Sequence, residues 1–245
     1  MSFNLNEVND FLGGAVDVLM EGSKKMNVAT VPLVKARAYA ESVFRKAGKD
    51  LDAVLPDFNK NYLMLQRKTK AALDVPRIQM PVIEPVDMKD FHGRLKKGRL
   101  DLFQPYAKGK LKLAGSSWNK MDDKEGQEWV ELGVKDGNKT DDVIKASWGS
   151  VAGKDMLPTQ SQIWLEKLIV NIDKFGKPGP GSPILKTTII VSKEGYILDG
   201  HHRFGQVMLA DPGLKIRALK VPLSIGFLLK VGRSYGGARG HTPKA

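Results

Sequence analysis

Thr187-Thr188-Ile189-Ile190-Val191, followed shortly by Ile197-Leu198-Asp199-Gly200-His201-His202-Arg203, decides how this chain reads. The β-branched run predicts a strand, and an apolar strand entering an Asp-Gly pair predicts a corner. Val207, Met208 and Leu209 continue past it as an apolar helical stretch. A strand-to-helix corner aims backbone N–H groups and the positive end of a helix at one point, which suits a phosphate. Two of the chain's four histidines sit there. A plainer reading stays open, in which Asp199-Gly200 is a turn, Asp199 an N-cap, and both histidines are ordinary first-turn residues.

Outward from the corner the signals stay readable. Upstream, Pro158-Thr159-Gln160-Ser161-Gln162 predicts a helix start with Thr159 as N-cap, as in a capping box. Leu165, Leu168, Ile169 and Ile172 give that helix an apolar stripe, and Gly176 ends it. The Pro- and Gly-rich stretch 177–183 is a loop. Ile184 to Val191 reads as a strand, Ser192 to Gly195 as a turn, and Tyr196 to Leu198 as the returning strand. The helix from His201 ends before Asp211-Pro212-Gly213, a strand follows over Ile216 to Val221, and a short helix over Leu223 to Val231.

The first half reads as helical: Phe3 to Leu19, Pro32 to Ala47, and Phe58 to Leu73. The prolines between Pro76 and Pro85 predict an extended connector. Phe91 to Tyr106 holds a short helix and a turn. Residues 107–155 carry tryptophans at 118, 129 and 148, read as anchors packed on a core or a surface for a partner. The expected class is α+β, with three regions: 1–75 helical, 76–149 extended and irregular, and 150–245 a mixed α/β domain with a basic tail.

The chain has 245 residues, no cysteine and a net charge of +12. Without cysteine, disulfides, thiolate metal sites and thiol nucleophiles are excluded. No apolar run has the length of a membrane span, so no membrane is expected, and the cytoplasm is the expected compartment. The charge excess favours polyanionic partners, nucleic acid above all. It is uneven: no acidic residue follows Asp211, while Lys215, Arg217, Lys220, Lys230, Arg233, Arg239 and Lys244 do. A second basic cluster spans Arg94 to Lys112.

The order of the Leu157-Pro158-Thr159-Gln160 helix, the Pro183-Ile184 hairpin and the Asp199-Gly200-His201-His202-Arg203 helix resembles the ParB/sulfiredoxin superfamily over about residues 150–232. The superfamily includes partition proteins that bind and hydrolyse CTP, sulfiredoxins that use ATP, a free-serine kinase, and phage or plasmid ParB-like nucleases; the Asp-Gly-His-His-Arg version is most similar to the last. The resemblance implies a nucleoside triphosphate held at Gly200, His201, His202 and Arg203, framed by Thr159 and Lys167. It also implies Mg²⁺ at Asp199, with Asp199, His201 and His202 as the catalytic set. His201 stands where sulfiredoxins carry cysteine, which rules out their chemistry here. It also stands where many partition proteins carry glutamate, which puts the CTP clamp in doubt.

A nucleotide-binding, Mg²⁺-dependent phosphoesterase (an NTPase or nuclease) acting near nucleic acid is therefore the leading expectation. In the phage case it would act in the host cytoplasm or the virion. The alternative is a non-catalytic basic protein that binds nucleic acid or belongs to a virion, self-assembling through its N-terminal half. A small-molecule kinase ranks third. Two patterns fail: Gly149 to Asp155 lacks one residue of a P-loop and the hydroxyl after its lysine, and adjacent His201 and His202 lack zinc-ligand spacing. His92 and His241 are read as incidental.

Overall fold

The computed structural model describes residues 25–100, 113–114, 117–118, 142–239 and 241. The expected helix over 3–19, Trp129, and the lysines at 108, 110, 112 and 244 lie outside them. The helices are α1 (Leu33–Lys46), α2 (Leu51–Val54), α3 (Phe58–Lys70), α4 (Met88–Lys97), α5 (Leu165–Phe175), α6 (Pro183–Lys186), α7 (His201–Ala210) and α8 (Ile225–Ala238). The strands are β1 (Leu113–Ala114), β2 (Ser117–Trp118), β3 (Ser147–Ala152), β4 (Ile189–Val191), β5 (Ile197–Asp199) and β6 (Lys215–Lys220). β1 and β2 form a small hairpin, and the larger sheet has the order β3-β6-β4-β5. The architecture is α+β. Two compact units form, neither continuous in sequence: the first takes in 25–74, 150–189 and 200–217, the second the remainder.

In the first unit, α1 buries Ala36, Ala40 and Phe44 at a spacing of four, one stripe of a helix. Its last turn carries Arg45 and Lys46, charges that suit a helix C-terminus. α3 buries Phe58, Tyr62, Leu65 and Thr69 along one side. The buried Asn61 amide donates to the Leu209 carbonyl at 3.1 Å, tying α3 to α7. The Tyr62 hydroxyl donates to the Val31 carbonyl at 2.7 Å, and burial pushes that phenol up to about 12. α7 is the centre of this unit, with Phe204 to Ala210 all buried and both α3 and α5 packed on it. It holds no side chain at Gly205, where a Cβ would stand 2.8 Å from Leu168 Cδ1 and 3.3 Å from Ile163 Cγ2.

The predicted α5 starts late. Its first residue is Leu165, Trp164 stands at the N-cap position, and 158–164 is not helical, so Thr159 caps nothing. Acceptors elsewhere in the unit take the amides that a helix would have used. Ile184 lies in a single helical turn, α6, instead of a strand: Pro183 at its first position presets the backbone and the Thr187 hydroxyl donates back to the Ile184 carbonyl at 2.6 Å. α8 runs to Ala238, beyond the expected end, with glycines at 226, 232, 236 and 237 inside it.

The second unit is built on Phe91 and Leu95 of α4, Leu198 of β5, Leu219 of β6, and Leu228 and Tyr235 of α8. The Phe91 and Tyr235 rings lie 5.0 Å apart between centroids, and the Tyr235 hydroxyl donates to Asp90 Oδ2 at 2.7 Å. Trp148 packs on this core and meets His92 edge to face. β4 and β5 pair antiparallel, Val191 opposite Ile197 and Ile190 opposite Asp199, around the predicted turn. At that turn the Glu194 carboxylate accepts from the Ser192 hydroxyl and from the Ile225 N–H that opens α8.

Two outcomes follow. Gly205→Ala gains up to about 1 kcal/mol of helix propensity. It must also force a methyl against Leu168, which is fully buried, and overpacking of this kind costs about 1–3 kcal/mol. A net loss of roughly 1 kcal/mol, read as a lower urea midpoint, is expected. The hydrogen bond from Ser192 holds the Glu194 carboxyl below the usual carboxylate range. A group with a lowered folded value stabilises above its ordinary value and loses that effect as the pH falls through the lowered one. The stability gap between wild type and Glu194→Gln should therefore be full at neutral pH and close below about pH 4; thermal melts across pH measure it.

Candidate anion-binding corner

β5 ends at Asp199 and α7 begins at His201, with Gly200 between them at φ 104° and ψ 25°, a left-handed backbone that favours glycine. A Cβ on Gly200 would lie 2.7 Å from Ile189 Cγ1, 3.1 Å from Arg203 Nε and 3.2 Å from Arg203 Nη2. The space a side chain would fill is thus taken by Ile189 and by the guanidinium of Arg203. Glycine here lets the arginine fold back over the first turn of its own helix. That places a permanent, planar cation where the helix already presents its positive end. Arg203 and His202 are half-buried and His201 is buried.

The two imidazoles face the 159–164 segment. His201 Nε2 accepts the Thr159 N–H at 3.0 Å and the Gln160 N–H at 3.4 Å. His202 Nε2 accepts the Trp164 N–H at 3.3 Å. The segment has further ties: the Ser161 hydroxyl meets the Asp74 carboxylate, the Val28 N–H donates to the Ile163 carbonyl, and the Leu165 N–H donates to the Met26 carbonyl. The Met26 N–H in turn reaches Glu166 Oε1. Lys25 Nζ lies 5.7 Å from the centre of the Trp164 ring.

Of the residues expected at the site, the structure brings Thr159, Gly200, His201, His202 and Arg203 together. Thr159 is completely buried and takes part through its backbone. Lys167 lies half-buried in the first turn of α5, a helix that packs on α7. Asp199 is half-buried at the end of β5, paired with Ile190 and next to Gly200 in the chain. Trp164 and Glu166 did not stand out in sequence. Glu166 is buried in the first turn of α5, and its Oε2 has no hydrogen-bond partner among the described residues. An apolar-stripe argument cannot find it, because it lies inside the stripe.

The second unit gathers a different set. Glu84, Asp87 and His241 bring three potential metal donors within 4.8 Å of one another. His241 Nε2 lies 2.6 Å from Asp87 Oδ2, its Nδ1 lies 3.8 Å from Glu84 Oε1, and Arg239 Nη2 lies 3.2 Å from Asp87 Oδ1. Arg239 and His241 already satisfy both oxygens of the buried Asp87, so the arrangement is a clasp holding the end of α8 to the 84–88 turn. His241, incidental in sequence, is part of that clasp. Among the described residues no helix is long and apolar enough to cross a membrane. A scan of family models and searches of curated proteins and of solved structures return no match for this chain.

Removing one partner of a buried carboxylate costs about 1–3 kcal/mol. His241→Ala should lower stability by roughly that amount and speed amide exchange at the end of α8, while Arg239 keeps Asp87 from being stranded. Hydrogen exchange on the two proteins checks it.

Proposed function

We propose that the Gly200–Arg203 corner binds the phosphates of a nucleoside triphosphate, and that the chain is a ParB/sulfiredoxin-like phosphoesterase working beside nucleic acid. One observation carries this reading: the Arg203 guanidinium folds onto Gly200 at the N-terminus of α7. A guanidinium offers two parallel N–H donors to a phosphate, and the first-turn amides and helix dipole add to the same field. Asp199, the preceding residue, suits Mg²⁺, which is commonly held by one or two carboxylates together with phosphate oxygens. Mg²⁺ there would neutralise phosphate charge. Arg203 would bind and orient the phosphate, and the close-packed α5–α7 contact would hold the corner rigid.

The test is a thermal-shift panel of nucleoside triphosphates with and without Mg²⁺. A ligand that binds the folded form raises the melting temperature with its concentration. Arg203→Ala removes a charge-assisted bidentate contact worth about 1.5–3 kcal/mol, so affinity should fall roughly 10- to 150-fold. Hydrolysis of nucleotide and nicking of DNA, compared between the two proteins with Mg²⁺, extend the test to catalysis. No shift with any nucleotide would overturn the reading.

A second reading draws on β6, whose Lys215 and Arg217 alternate outward with buried Ile216 and Ala218 between and after them. Together with the net charge of +12, this favours a basic module that binds nucleic acid without turnover. Affinity that falls steeply with salt and is indifferent to nucleotide would select it.

A further inference from the structure

We infer that His201 and His202 serve this corner as acceptors that fasten the 159–164 segment to α7, and not as its proton carriers. A backbone amide can only donate, so a ring nitrogen that meets one must offer its lone pair. Nε2 of each ring is therefore unprotonated, and the neutral ring carries its proton on Nδ1. His201 meets two amides in this way and His202 one. With Nε2 committed to the segment and Nδ1 already protonated, neither ring has a nitrogen left to accept a substrate proton.

The two rings are positioning residues. They fix Thr159, Gln160 and Trp164 against the first turn of the helix that carries Arg203, so an event at one side is felt at the other. The fastening stands on these contacts alone; its effect on nucleotide binding rests on the phosphate reading above.

Two measurements test it. Long-range proton–nitrogen correlation spectra of the ¹⁵N-histidine-labelled full chain should show both rings as neutral Nδ1–H tautomers. Glutamine places Oε1 where Nε2 stands and accepts hydrogen bonds, but it cannot carry a proton. His201→Gln should therefore keep the Thr159 and Gln160 amides within about threefold of wild-type hydrogen-exchange protection, whereas His201→Ala should lose at least about tenfold. The same order should appear in the thermal shift given by ATP with Mg²⁺.

Nε2–H or doubly protonated rings in the wild-type spectrum would overturn the inference. So would a folded glutamine variant as poorly protected as the alanine one. If wild type gives no shift with ATP but the tautomers and protection pattern hold, the phosphate reading fails and the fastening survives.

Discussion

The corner depends on how closely α7 approaches the segment before α5. That distance is set where Gly205 faces Leu168 and Ile163, with no room for even a methyl. One turn earlier on α7, the same proximity lets two imidazoles reach backbone amides at 159, 160 and 164. A wider spacing would strand three N–H groups, each costing about 1–3 kcal/mol when buried without a partner. The packing contact and the polar contacts therefore stand or fall together. Dispersion supplies the attraction and the amides supply the register.

This coupling explains why 158–164 is not a helix although its sequence resembles a helix start. The Thr-x-x-Gln pattern is worth about 1 kcal/mol at best. Against it stand acceptors from α7 and the antiparallel tie of Met26 and Val28 to Leu165 and Ile163. Several tertiary hydrogen bonds outweigh one capping box.

Much of the fold was legible because it rests on periodicity. The apolar stripe of α5, the β4–β5 hairpin and the β6 strand read directly from residue spacing. The corner was legible as a strand, a turn and a helix start. What sequence could not supply is what each polar group touches. At Gly200 a Cβ would meet Ile189 and Arg203, contacts that residue spacing does not announce. The adjacent histidines give no sign in sequence that both Nε2 atoms accept backbone amides. His241 has no local pattern, because its partners Asp87 and Glu84 lie far away along the chain. The interleaving of the units is hidden for the same reason: Asp74 and Ser161 meet through folding, not through spacing.

The electrostatics of the corner follow from these roles. The positive end of a helix repels an added cation. The two imidazoles in its first turn accept backbone amide hydrogen bonds through Nε2. Arg203 brings a permanent positive charge to the helix end beside it. A guanidinium keeps its charge and its planar fork at any physiological pH.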